Sequence, residues 1–132
     1  MSQLGQLADE RFVSLTTYRR SGQGVATPVW VARDGDVLIV LTPEESHKVG
    51  RIRRDPRVQL APSTRSGRIK ENAPQADGTA HVVTDPDEVS RSRALIAGKY
   101  GWEYRAVMLA ERLLARRSKA RVILSITLPS RS

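Results

Sequence analysis

The chain has 132 residues, two histidines and no cysteine, with 22 Lys+Arg against 14 Asp+Glu and a formal charge of +8 at pH 7. A chain of this length suits one domain spanning 1–132, large enough to bury about two-thirds of its unfolded surface without a disulfide or metal staple. The composition removes thiolate chemistry and cysteine zinc sites, and two histidines argue against a histidine-rich metal centre, so no metal is expected.

In chain order, Leu4, Leu7, Ala8 and Phe12 recur at nearly helical spacing and predict a short amphipathic helix over about 3–12. Val13 to Tyr18 reads as a strand, followed by a polar loop over 19–24 and a second strand from Val25 to Ala32. Asp34-Gly35 then suits the positive backbone angles of a tight hairpin. Val37 to Leu41 is continuously apolar, which leaves no solvated face and predicts cover on both sides. Within the second strand, Pro28 has no N–H for the ladder. It marks an edge or irregularity, or else a break that turns backbone groups toward a ligand.

Thr42-Pro43-Glu44-Glu45 has the form of a capping box with proline at the first helical position. It predicts a helix over about 43–55 that stops near Asp55-Pro56, with Val49 and Ile52 on its apolar side. Arg57 to Ala61 resumes as strand, 62–68 is a turn, 69–76 is an irregular crossing, and Gly78 to Thr84 is another strand. Asp85-Pro86-Asp87-Glu88 repeats the cap, proline and acid pattern and opens a helix over about 86–98. Gly98 and Gly101 bracket Lys99 and Tyr100. A further helix over about 103–118 presents Ala106, Leu109, Ala110, Leu113 and Leu114 on one side, before a last strand from Arg121 to Leu128. The pattern is mainly β with flanking helices: about six strands forming an antiparallel barrel. No consecutive βαβ units with a glycine-rich loop occur, which argues against a dinucleotide-binding domain.

Chemistry concentrates between Leu41 and Arg51, especially at Ser46, His47, Lys48 and Arg51. Lysine, a hydroxyl and the amides of a helix start all suit phosphate oxygens, although a capped surface helix with basic side chains reads the same way. Trp30, Tyr100 and Trp102 offer flat walls for a heterocycle, or equally serve core and interface. No serine triad or paired glycosidase carboxylates stand out and no catalytic residue is singled out, which favours a bound cofactor as the source of the chemistry. Basic residues are scattered without a nucleic-acid motif, so a nucleic-acid partner is disfavoured. The absence of a secretion signal and of any segment of about 20 apolar residues gives a cytoplasmic expectation and no transmembrane segment.

Thr27-Pro28-Val29-Trp30, Ser46-His47-Lys48-Val49 and Arg54-Asp55-Pro56-Arg57-Val58 occur in order between Phe12-Val13-Ser14-Leu15-Thr16-Thr17 and Lys99-Tyr100-Gly101-Trp102. In this the sequence resembles the split-barrel flavin and deazaflavin oxidoreductases related to pyridoxamine-phosphate oxidase, and most of all their actinobacterial branch dependent on coenzyme F420. The resemblance implies a six-stranded antiparallel split β-barrel, a homodimer, and cofactor sites at the subunit interface. It implies that Thr27, Pro28, Val29 and Trp30 border the ring system. Leu41, Thr42, Ser46, His47, Lys48 and Val49 would line the ribityl and phosphate part, with Lys48 on the phosphate. Lys99, Tyr100 and Trp102 would approach from the partner chain. Val29-Trp30-Val31-Ala32 lacks the basic pair of the wider family, which favours F420 over FMN and over pyridoxamine oxidation. Arg51, Arg53, Arg54, Arg65 and Arg68 would complement the anionic tail of F420. The expected activity is hydride transfer between F420 and a small molecule. FMN-dependent oxidoreduction and a noncatalytic flavin, haem or tetrapyrrole carrier are the alternatives.

Overall fold

A computed structural model describes residues 3–70, 73, 75–115 and 121–129, apart from the side chains of Arg112, Leu114 and Ala115. The elements run α1 (Gln3–Ala8), β1 (Val13–Tyr18), β2 (Gly24–Val29), β3 (Ala32–Asp34), β4 (Val37–Pro43), α2 (His47–Arg54), β5 (Arg57–Pro62), β6 (Ala76–Val83), α3 (Pro86–Tyr100), α4 (Trp102–Ala115) and β7 (Arg121–Thr127). The strands form one antiparallel sheet in the order β2-β1-β5-β6-β7-β4-β3.

That order dictates curvature. The outermost strands, β2 and β3, are separated in sequence only by Trp30 and Val31. Laid flat, seven strands would hold their edges about 29 Å apart, whereas the three Cα steps from Val29 to Ala32 span at most about 11 Å. The sheet must therefore roll until its edges meet, giving a split barrel. Six strands were expected, and the structure has seven. The expected strand Val25 to Ala32 is divided after Val29, where the chain stops pairing with β1 and starts pairing with β4.

Alternation along the strands fills the interior with Val13, Leu15, Leu38, Val40, Val58, Leu60, Val122, Leu124 and Ile126, joined by Val49 and Ile52 from α2 and Leu7 from α1. The opposite face of β3, β4 and β7 presents Ala32, Ile39 and Ile123, which pack with Ile96 and Tyr100 of α3. Both faces of β4 are thus covered, as its unbroken apolar run requires.

Several helix boundaries differ from the sequence expectation. Thr42 does not cap a helix: Thr42 and Pro43 continue β4, paired with Val122 and Arg121 of β7. Glu44 and Glu45 form a turn, and α2 starts at His47 with Ser46 as its N-cap. Pairing along β4 and β7 overrides the local capping pattern. The opening helix ends at Ala8, leaving Phe12 outside it, where its carbonyl accepts from the Ser63 amide. α3 does follow its cap signal, with the Asp85 carboxylate accepting from the Glu88 amide and Pro86 in the first turn. It continues past Gly98 to Tyr100 and ends at Gly101, whose φ of 59° permits the reversal into α4. In the crossing expected over 69–76, residues 71, 72 and 74 lie outside the described residues, as do the Leu114 side chain and the helix end expected near 118.

The predicted apolar side of α4 faces outward. Trp102, Leu109 and Leu113 are 76%, 56% and 73% exposed, and at 100° per residue they lie within about 40° of one another around the helix.

Candidate functional site

Where β2 leaves β1, the corner residue Val31 has no ladder partner, and α3 supplies substitutes. The Val31 amide donates to Tyr100 Oη at 3.0 Å, and that hydroxyl donates to the Arg11 carbonyl at 2.7 Å. Lys99 Nζ donates to the Ala8, Glu10 and Val31 carbonyls at 2.7, 2.6 and 2.7 Å. The Tyr100 ring stacks on Trp30, with centroids 4.5 Å apart and planes 15° from parallel. Burial pushes the Tyr100 phenol up to about 12. Burial also lowers the Lys99 ammonium below its ordinary value, with Asp9 opposing.

Beyond this clasp lies a cleft of about 260 Å³ lined by Phe12, Pro28, Val29, Trp30, Leu41, Thr42, Pro43, Lys48, Val107, Met108, Glu111 and Arg121. Pro28 lies on the edge strand β2, where its missing N–H is tolerated. The 64–68 turn packs onto Pro28, with Gly67 at φ 93° so close that an added Cβ would lie 3.3 Å from Pro28 Cδ.

One end of the cleft is rich in donors. Lys48 Nζ lies 3.2 Å from Ser46 Oγ and 3.5 Å from Thr42 Oγ1. Ser46 makes no side-chain cap bond; its hydroxyl faces Lys48 instead. Burial, then the neighbouring Arg51, holds the Lys48 ammonium below its ordinary value. Arg51 donates to Thr17 Oγ1 at 2.7 Å, and burial together with Arg19 and Arg54 lowers its own pKa. Crowding of cations around hydroxyl groups favours an incoming anion. Across the β4–β7 ladder from Pro43, Arg121 is only 10% exposed and pairs with Glu111.

A model of the pyridoxamine 5'-phosphate oxidase family matches residues 3–128. The chain belongs to this family. No curated protein matches the sequence. Among solved structures, the conserved hypothetical protein Rv2991 from Mycobacterium tuberculosis is 22% identical with a TM-score of 0.70, covering 98% of this chain and 82% of that one. An F420 reductase is 17% identical with a TM-score of 0.63, covering 98% and 96%. The haem storage protein HutZ from Vibrio cholerae is 11% identical with a TM-score of 0.69, covering 98% and 89%. These structures share this chain's split-barrel fold. No helix among its described residues is long and apolar enough to cross a membrane.

Of the residues singled out in the sequence, Pro28, Val29, Trp30, Leu41, Thr42 and Lys48 line this cleft, and Ser46 meets it through Lys48. Arg51 joins the cationic corner by way of Thr17. Thr27 pairs with Leu15 and does not line the cleft. His47 is exposed, and Val49 is fully buried in the barrel core with its amide bonded to the Ser46 carbonyl. Lys99 and Tyr100 are committed to their own chain's Val31 corner, and Trp102 stands on the outer surface. Sequence reasoning missed Phe12, Pro43, Val107, Met108, Glu111 and Arg121. No local signal marks them, because Arg121 reaches the site only through the pairing of β7 with β4.

Proposed function

We propose that this protein is an F420-dependent oxidoreductase, transferring hydride between the deazaflavin and a small molecule, and that it works as a homodimer. The observation that carries the reading is the Thr42–Ser46–Lys48 corner at the end of a cleft walled by Pro28, Val29 and Trp30. These donors fit a phosphate, and the flat Trp30 wall held by Tyr100 fits a ring system. When bound, F420 supplies the two-electron chemistry; the protein binds, orients and excludes water. Lys48 offers a charge-assisted contact and Ser46 a hydroxyl. Val31 and Ala32 are buried and bring no cation to the ring, whereas Arg51 lies beside Lys48, with Arg19 and Arg54 near Arg51 in turn, where further negative charge would sit. That balance favours F420 over FMN, the second reading, whose phosphate the same corner also fits.

The outward stripe of Trp102, Leu109 and Leu113 supports the dimer, since contiguous exposed apolar surface of this kind marks interaction sites. Separate titrations with F420, FMN and haem, followed by stopped-flow reduction, test the proposal. F420 binds most tightly and exchanges hydride if the reading holds. Lys48→Ala weakens that binding by about 1–3 kcal/mol. Equal affinity of mutant and wild type removes Lys48 from the phosphate, and saturable binding without turnover over a broad substrate panel points to a carrier.

A further inference from the structure

A second cleft, of about 310 Å³, lies between α3 and α4 and is lined by Arg93, Tyr104, Arg105, Met108 and Leu109. It shares Met108 with the first cleft. Arg93 Nε donates to Tyr104 Oη at 3.1 Å, and its Nη2 lies 3.8 Å from Met108 Sδ. Neither Arg93 nor Arg105 pairs with a carboxylate among the described residues, while nearby Arg121 is matched by Glu111. Burial, then nearby Arg93, holds the Arg121 guanidinium below its ordinary value. Arg93 and Arg105 therefore bring two guanidiniums without a carboxylate partner among the described residues to one cleft, beside the apolar surfaces of Met108 and Leu109.

We propose that this second cleft binds an organic carboxylate with an apolar body, and that such an anion is the class of second reactant for the cofactor cleft next to it. Arg93 and Arg105 hold the carboxylate, because guanidinium forks match it in shape and charge. Met108 covers the apolar part. Tyr104 fixes Arg93 through its hydroxyl. From this anchor the rest of the molecule extends past Met108 toward Trp30 and Lys48. Assigning the anion as a reactant rests on the oxidoreductase reading; its binding does not.

The test is calorimetric titration of the full chain with benzoate and, in parallel, with its neutral isostere benzamide. Benzoate binds saturably, benzamide does not, and Arg105→Gln and Arg93→Gln each weaken benzoate at least about fivefold. Arg105 is exposed, so its variant keeps the fold and guards against misfolding of the Arg93 variant, with the melting curve as control. No benzoate binding, equal binding of benzamide, unchanged affinity in both arginine variants, or loss through Lys48→Ala instead each overturns the site. F420 titrated separately distinguishes the two readings: benzoate binding that survives a failure of F420 to bind leaves the anion site standing and removes only the cofactor.

Discussion

Replacing Tyr100 with phenylalanine isolates the hydroxyl that seals the barrel corner. The ring, its stack on Trp30 and nearly all its apolar burial remain, so only hydrogen bonding changes. Val31 is 0% exposed, and its amide loses Tyr100 Oη, its acceptor among the described residues, at 3.0 Å. A buried donor left without a partner costs about 1–3 kcal/mol. The Arg11 carbonyl also loses a 2.7 Å donor, but Arg11 is exposed and water replaces much of that bond. Together these give a loss of about 2–3 kcal/mol, or a fall of about 6–12 °C in Tm for a domain of this size. Equilibrium urea unfolding followed by tryptophan fluorescence measures it, with the slope m as a check that the transition keeps its character. A loss below about 0.5 kcal/mol at unchanged m refutes the claim that Tyr100 substitutes for a missing ladder bond.

The same phenol sets an alkaline limit. Its folded pKa is raised to about 12 from the usual 10, so its contribution is complete below pH 10 and is lost as pH rises toward 12. Urea midpoints measured through that range fall more steeply for wild type than for Tyr100→Phe, and equal slopes contradict this. Lys99→Met strips donors from three backbone carbonyls and lowers stability by about 2–3 kcal/mol; chemical denaturation within about 0.5 kcal/mol of wild type opposes it. Leu109→Asp places a charge in the outward stripe of α4, and sedimentation velocity then shows monomer where wild type shows dimer. Wild type that already sediments as a monomer at working concentration removes the proposed interface.

What could be read from the residues was the local and periodic part. The β1 boundaries, the Asp85 cap and the double-sided burial of Val37 to Leu41 follow from alternation, capping chemistry and a missing polar face. The Thr42 box misled because its signal is local, whereas pairing with Val122 lies 80 positions away in the chain. Lys48 was legible as a cation beside a hydroxyl. Lys99 and Tyr100 were not legible as a clasp, since nothing in Lys99-Tyr100-Gly101-Trp102 reveals that the chain breaks its ladder at Val31. Glu111 and Arg121 escaped for the same reason, as they meet only after α4 folds back beside β7.

The position of β7 constrains how the protein is made. Val122, Ile123, Leu124 and Ile126 are buried in a strand that lies between β6 and β4, so a chain emerging from a ribosome holds two separate sheet fragments until residues 121–127 are released. Completion of the cleft waits on the same event, because Arg121 arrives with that strand. A nascent chain stalled before this point exposes the flanks of β4 and β6, and it is there that a chaperone or an aggregating neighbour would take hold.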